Sequence, residues 1–360
     1  MIQILEDAWL QFICALHQSK SQSSLPPSSG NFPLAPTIAD GSLGAVETSK
    51  SVYTLADLKN WDAVIHDVSP RPRVAVFGDP VEHSLSPQLH NPALQACGID
   101  AQYIRLQIRP EEFDEAVRLL PKLGFYGTNC TIPHKFLALE AMDRVDDLAR
   151  KLGAVNTVVC DDDGSLVGFN SDGPGFLRAV REEFMVDVSD LRVMIIGAGG
   201  GAGRAVAVQC AVENCERLVL VNRTTDKAEA VARELEPYFQ DTRVLGPVKR
   251  LAVCPWETEA LHEELNDIDL IVNATSVGMK RTDPDLLPHH LLQPHHFAFD
   301  MIYSPLETRF LKSAEDRGAR TTNGLAMLLW QGVFSFEWWF NRDAPVDAMR
   351  KGLMDAIASR

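Results

Sequence analysis

Three polar clusters and one run of glycines hold the residues that could do chemistry. The first cluster is Gly78-Asp79-Pro80-Val81-Glu82-His83-Ser84-Leu85-Ser86-Pro87. Its hydroxyls at i and i+2, just after an apolar run, could both face a carboxylate. They could equally serve as caps for a helix beginning at Pro87, a favourable first helical residue. The second cluster is Asn129-Cys130-Thr131-Ile132-Pro133-His134-Lys135. A lysine just past a strand, in a partly dry cleft, can act as acid or base when desolvation lowers its pKa. A solvated surface lysine is the plainer reading of the same residue. The third cluster is Gly168-Phe169-Asn170-Ser171-Asp172-Gly173. Paired with Lys135, Asp172 would complete a hydrogen-bonded acid/base couple, although nothing in the spacing brings the two together.

The glycines are Gly197-Ala198-Gly199-Gly200-Gly201-Ala202-Gly203. They follow the apolar run 191–196 and precede the helix-compatible stretch 205–212. Alone, such a run is only a glycine-rich turn. Between strand and helix it reads as a dinucleotide site. Gly197 would allow the tight turn, Gly199 the close approach of backbone to a pyrophosphate, and Ala202 the packing of helix on strand. The helix start would offer unpaired N–H groups to the phosphates. The next strand, 217–221, runs into Asn222-Arg223-Thr224. Sites for NAD usually place a carboxylate here to accept from the ribose 2′-hydroxyl. Arginine instead can stack on adenine and grip a 2′-phosphate, which points to NADP.

These residues need a scaffold of alternating strands and helices. Strands are expected at 73–78, 103–106 and 125–131, with a hairpin of 155–159 and 166–170 around Asp161-Asp162-Asp163-Gly164. Helices are expected at 55–58, 110–120 and from Lys135. In the second half, strands at 191–197, 218–222, 270–275 and 297–303 alternate with helical stretches such as 226–239, which predicts a parallel sheet covered on both faces. A long apolar helix from Asn323-Gly324 to Phe340 should be buried and return to the first domain. The fold class is therefore α/β with two domains. An N-terminal substrate domain spans 53–174, completed by 325–360, and a Rossmann-type doubly wound domain spans 175–324. Residues 1–16 could form a short helix, and the Ser-, Pro- and Gly-rich stretch 17–51 reads as a linker. Residues 1–52 are thus a loosely attached extension.

Composition narrows the partners. The chain has 360 residues, 46% hydrophobic and 23% charged, with a formal net charge of −15. That charge argues against nucleic acid or an anionic membrane surface as the main partner. The seven cysteines show no C-x-x-C pair and no zinc spacing, so no metal is expected and a reducing cytoplasm fits. No run approaches 18 apolar residues. The stretch 8–16 is not read as a signal peptide because acid, not lysine or arginine, precedes it.

Taken together, the motifs resemble the shikimate dehydrogenase family. They are Ser84-Leu85-Ser86-Pro87, Asn129-x-Thr131-x-Pro133-x-Lys135, Gly153-Ala154-Val155-Asn156-Thr157, Asn170-Ser171-Asp172-Gly173, the glycine turn, Asn222-Arg223-Thr224, Asn273-Ala274-Thr275-Ser276-x-Gly278-Met279, Asp300-Met301-x-Tyr303-x-Pro305 and Gly324-x-x-Met327-Leu328-x-x-Gln331. They occur in order over about 70–350. The resemblance implies NADPH-dependent reduction of 3-dehydroshikimate to shikimate. It implies Lys135 and Asp172 as the catalytic pair, Ser84 and Ser86 on the substrate carboxylate, and Tyr303 lining that end. Thr131, Asn156 and Gln331 would bind ring hydroxyls. Gly197, Gly199, Gly200, Gly201, Ala202, Asn222, Arg223, Thr224, Thr275, Met301 and Gly324 would form the NADP site. The turn has one glycine more than the family pattern, Gly201, and the extension is unusual. A monomer or homodimer is expected. Rival readings are a dual quinate/shikimate enzyme, a methylene-tetrahydrofolate dehydrogenase-like protein, which should lack the Ser-Leu-Ser-Pro pair, and a non-catalytic sensor, which should have lost Lys135 or Asp172.

Overall fold

The computed structural model describes residues 50–240 and 249–359. The expected helix at 1–16 and the linker at 17–51, apart from Lys50 and Ser51, lie outside the described residues. The first sheet begins with β1 (Tyr53–Thr54), followed by the short helices α1 (Leu55–Leu58) and α2 (Trp61–Val64). Then come β2 (Pro72–Gly78), α3 (Ser86–Ala96), β3 (Gln102–Gln107), α4 (Phe113–Leu119), β4 (Gly127–Cys130) and α5 (Lys135–Ala141). The sheet is completed by β5 (Arg144–Val145), α6 (Asp147–Leu152), β6 (Thr157–Cys160) and β7 (Leu166–Phe169). The strand order is β1-β3-β2-β4-β6-β7-β5. The strands β1, β3, β2 and β4 pair in parallel, whereas β6 is antiparallel to both β4 and β7.

The second sheet is entirely parallel. After α7 (Asp172–Phe184) it comprises β8 (Arg192–Ile196), α8 (Gly201–Val212), β9 (Arg217–Val221), α9 (Thr225–Leu235), β10 (Leu251–Cys254) and α10 (Thr258–Leu265). It continues through β11 (Leu270–Asn273), β12 (Phe297–Asp300), α11 (Arg309–Asp316) and β13 (Arg320–Thr322). The order β10-β9-β8-β11-β12-β13 is the doubly wound arrangement of a dinucleotide-binding sheet, and it reverses between β8 and β11. Ligands bind such sheets outside the carboxyl ends of the strands at that reversal, which is where the glycine turn lies.

Strand alternation sorts the core. Val74 and Val76 of β2, with Val193 and Ile195 of β8, join one apolar cluster shared by the two sheets. Ala75 and Phe77 point to the opposite face of the first sheet, and Met194 and Ile196 to the opposite face of the second. The shared cluster is filled by α7 and by α12 (Leu325–Phe340), through Phe176, Val180, Trp330 and Phe336. The chain ends in α13 (Val346–Ala358), which packs on α3. The long apolar helix thus returns to the first sheet, and its Trp339 Nε1 donates to the Val158 carbonyl of β6 at 2.9 Å.

Several element ends differ from the sequence reading. The strand expected at 270–275 stops at Asn273, whose Oδ1 accepts from Thr275 N and Oγ1 at 3.0 and 2.8 Å and turns the chain. The strand expected at 297–303 stops at Asp300, whose carboxylate accepts from Ile302 N at 3.0 Å and Thr308 Oγ1 at 2.6 Å. The helix expected from Pro110 opens as a 3-10 turn, Pro110–Glu112. Strands β1, β5, β10 and β13 and helices α2, α6, α7, α10, α11 and α13 are not expected from the sequence, and Asp172-Gly173, which suggests a turn, instead opens α7. Arg320-Thr321-Thr322 has no apolar alternation, because it is an edge strand. Among the described residues no helix is long and apolar enough to cross a membrane.

The approach of α7 to α12 requires a missing side chain. A Cβ on Gly175 would lie 2.9 Å from the Gln331 backbone nitrogen. Gly175→Val should therefore destabilise the fold by about 2 kcal/mol in urea unfolding, and it should impair any activity that needs α12 in place. Wild-type stability in the variant would show that the helices can separate without cost.

Candidate active site

Lys135 is the first residue of α5 and Asp172 the first of α7. Each follows a strand end of the first sheet, through Thr131–His134 in one case and Asn170–Ser171 in the other. The fold brings the two together: Lys135 Nζ donates to Asp172 Oδ2 at 2.7 Å, with side chains 24% and 12% exposed. The carboxylate sits at the N-terminal end of a 13-residue helix, where the helix dipole favours negative charge. Asn170 fixes that helix start. Its Oδ1 accepts from Asp172 N at 2.9 Å, and its Nδ2 donates to the Ala154 carbonyl at 2.8 Å.

Behind the pair lies a buried knot of neutral polar groups where β4, β6, α7 and α12 meet. Asn156 Nδ2 donates to Ser171 Oγ at 3.0 Å, while its Oδ1 accepts from Ser171 N at 2.8 Å and Thr157 Oγ1 at 3.1 Å. Asn129 Nδ2 donates to Thr157 Oγ1 and Ser335 Oγ at 3.1 and 2.9 Å. Ser335 Oγ lies 2.8 Å from Thr157 Oγ1 and donates to the Gln331 carbonyl at 2.9 Å. Asn129 Oδ1 accepts from the Tyr103 hydroxyl at 2.8 Å, and Tyr103 in turn hydrogen-bonds Ser86. Burial pushes the Tyr103 phenol well above its ordinary value. His90, stacked on Tyr103 at 4.5 Å, is pushed down to about 3 by burial, so this wall is uncharged at neutral pH. Asn156, expected to face a ring hydroxyl, thus spends most of its amide on Ser171 and Thr157.

The serine pair is assembled as two neighbouring hydroxyls. Ser84 Oγ donates to Ser86 Oγ at 3.1 Å and accepts from Ser86 N at 3.3 Å. The helix starts at Ser86, one residue before the expected Pro87, and Ser84 takes one of its first-turn N–H groups. The N-cap is Leu85, which makes no side-chain cap, so the reading of these serines as helix caps does not hold. Thr131 is half-buried between β4 and α5 and donates its N–H to the Phe77 carbonyl at 2.9 Å. Gln331 lies one helical turn before Ser335 and donates Nε2 to the Leu328 carbonyl at 2.9 Å. Tyr303 and Met301, past β12, are partly buried against the shared apolar cluster. The Met301 carbonyl lies 2.2 Å from the Cβ position of Gly324, which sets the entry into α12.

The glycine turn connects β8 to α8. Gly197 has φ +92°, a conformation that favours glycine. Two sequence assignments change here. The small residue that seats helix on strand is Gly203, whose Cβ would meet the Gly197 carbonyl at 2.2 Å, whereas Ala202 is only half-buried. The extra glycine shifts this contact by one position. Gly199 is needed against the first turn of α9 and the residue after β9: its Cβ would lie 2.5 Å from Lys227 Cβ, and its N–H donates to Asn222 Oδ1 at 3.3 Å. Gly200 and Gly201 instead form the open face, where a Cβ would meet nothing nearer than 3.4 and 3.7 Å. The N-cap of α8, Gly200, offers no side-chain cap to the helix's first N–H groups. Arg223 and Thr224 are exposed at the end of β9, and Asn222 Nδ2 donates to the Thr224 carbonyl at 2.9 Å. The Thr275 methyl contacts the Cβ position of Gly197 from the end of β11. The sequence reading passed over Lys227, an exposed cation four residues after Arg223. These open N–H groups and cations, with no carboxylate at 222–224, fit a phosphorylated dinucleotide.

The glycine turn approaches the helix that begins with Lys135. The Phe136 ring lies 3.7 Å from the Cβ position of Gly201. Arg204 of α8 donates to the Leu152 carbonyl at the end of α6 and pairs with Glu234. An acid/base pair beside a dinucleotide turn can exchange a proton with a hydroxyl or ketone while a hydride moves.

Comparison with known proteins agrees. Residues 76–158 match the shikimate dehydrogenase substrate-binding domain, residues 179–282 the shikimate/quinate 5-dehydrogenase model, and residues 324–354 the shikimate 5'-dehydrogenase C-terminal domain. The chain is 40% identical over 285 residues to shikimate dehydrogenase (NADP(+)) of Desulforamulus reducens, covering 79% of this chain and 94% of that one. It resembles a crystal structure of shikimate dehydrogenase in complex with NADP+ at a TM-score of 0.71 and 34% identity, covering 80% and 96% of the two chains. It also resembles the Thermus thermophilus enzyme in complex with NADP(H) and shikimate at a TM-score of 0.68 and 34% identity, covering 79% and 99%. The chain belongs to the shikimate dehydrogenase family.

Proposed function

We propose that this chain is an NADP-dependent shikimate dehydrogenase that interconverts 3-dehydroshikimate and shikimate. The observation that carries the reading is the Lys135–Asp172 hydrogen bond of 2.7 Å at the start of α5, the helix whose Phe136 packs at Gly201 of the glycine turn. In the reducing direction, bound NADPH supplies a hydride to the ring ketone carbon. Lys135, as an ammonium, meets the negative charge that develops on the ketone oxygen and gives it a proton. Asp172 holds the ammonium in line and keeps a countercharge beside it. In the oxidising direction Lys135 takes the hydroxyl proton, with Asp172 as its partner. Ser84 and Ser86 bind the ring carboxylate and Tyr303 lines that end, while Thr131, Asn156 and Gln331 receive ring hydroxyls.

Gly200, Gly201 and the first N–H groups of α8 hold the pyrophosphate, with Gly197, Gly199 and Gly203 shaping the turn. Arg223, supported by Asn222, Thr224 and Lys227, holds the 2′-phosphate, and Thr275, Met301 and Gly324 border the nicotinamide end. The substrate domain spans 53–174 with 325–360, and the cofactor domain spans 175–324. The free cysteines among the described residues suit a reducing cytoplasm.

The test is absorbance at 340 nm with shikimate and quinate, each with NADP+ and NAD+. The expected result is rapid NADPH formation with shikimate. Efficient quinate turnover would move the chain to the quinate branch of its family, and no turnover by folded, NADP+-binding protein would refute the enzymatic reading. Lys135→Ala should lower kcat by at least about 10²-fold, the low end for an acid–base group; an ordinary kcat would remove Lys135 from the chemistry. Arg223→Ala should raise KM for NADP+ by about 10- to 100-fold, as expected for losing hydrogen bonds to a charged group, while KM for NAD+ changes little. Equal effects on both cofactors would place Arg223 away from the 2′-phosphate.

A further inference from the structure

Arg105 lies on β3, beside the two serines. Its Nε and Nη2 both donate to the Ser84 carbonyl, at 3.1 and 2.6 Å, and Nη2 also donates to Gln88 Oε1 at 3.0 Å. Gln88 stands in the first turn of α3, so the guanidinium ties Ser84 to the start of that helix. The residue it grips is the one whose hydroxyl pairs with Ser86. Arg105 is half-buried and lies two residues along β3 from Tyr103, the hydrogen-bond partner of Ser86. Ser84, Ser86, Tyr103 and Asn129 are neutral donors and acceptors. His90, which backs them, is kept uncharged by burial. Neutral hydroxyls alone discriminate poorly between a carboxylate and an ester or amide of the same shape.

We propose that Arg105 is the positioning residue that makes this end of the cleft select an anion: it fixes Ser84 through its carbonyl and lays a permanent positive field across the serine hydroxyls. A guanidinium suits both tasks, because its fork spans two acceptors and its charge does not titrate in the working range. The role rests on the reading that the chain acts on shikimate through Ser84 and Ser86.

The experiment compares Arg105→Gln and Arg105→Lys with the unaltered enzyme on shikimate and on its neutral methyl ester. Arg105→Gln should raise KM for shikimate about tenfold, the scale of one charge acting through a partly screened site, with kcat within about twofold and KM for NADP+ unchanged. KM for the ester should rise by clearly less than KM for the acid, since the ester loses only the support of Ser84, and Arg105→Lys should restore most of the preference for the acid. Added salt should weaken shikimate binding more in the unaltered enzyme than in Arg105→Gln. An equal rise in KM for acid and ester, or a lysine variant no better than glutamine, would overturn the charge role and leave Arg105 as structural support. If the unaltered chain oxidises no shikimate while binding NADP+, the functional reading itself fails, and the proposal with it.

Discussion

The site depends on a buried knot of neutral polar side chains, Asn129, Asn156, Thr157, Ser171 and Ser335, closed by hydrogen bonds of 2.8–3.1 Å. Burying such groups is costly unless every partner is supplied, and a fully satisfied network admits few alternative arrangements. The members come from four pieces of the fold: Asn129 from β4, Asn156 and Thr157 from the entry into β6, Ser171 from the start of α7 and Ser335 from α12. Satisfying the knot therefore sets the register of α7, and with it Asp172, against the strand that leads to Lys135. It also sets the register of α12, which carries Gln331 one turn before Ser335.

The two sheets meet through the same helices. Phe176 and Val180 of α7 and Trp330, Val333 and Phe336 of α12 belong to one apolar cluster with strand residues of both sheets. The acid/base pair and the glycine turn are therefore built on a continuous core. The Arg204 contact with the Leu152 carbonyl and the packing of Phe136 at Gly201 add a polar and an apolar bridge between the glycine turn with its helix and the first sheet's helices. Such bridges hold the turn at a defined distance from Lys135, and proton and hydride transfer both need that positioning.

Much of this was legible in the sequence because the informative signals were local. Strand, glycine turn and helix lie within one short stretch, and the absence of a carboxylate after β9 is a single-position statement about Arg223. The order of motifs located Lys135 and Asp172, although their contact spans 37 residues and had to be seen. The extra glycine misplaced one contact, because only packing shows that Gly203 and not Ala202 faces the Gly197 carbonyl. Ser335 was invisible: a serine in an apolar helix reads as a minor break in its face until Thr157 and Asn129 are placed beside it. Arg105 was hidden for the same reason, because its partner is a backbone carbonyl, which has no sequence signature.

The central claim is that Lys135 and Asp172 work as one unit inside this scaffold. Its most direct test is kcat for shikimate oxidation at saturating NADP+ in Lys135→Ala, Asp172→Asn and the double variant. Groups that act together lose their effect together, so the double variant should be no slower than the slower single variant. Losses that multiply would show two independent contributions and contradict the account.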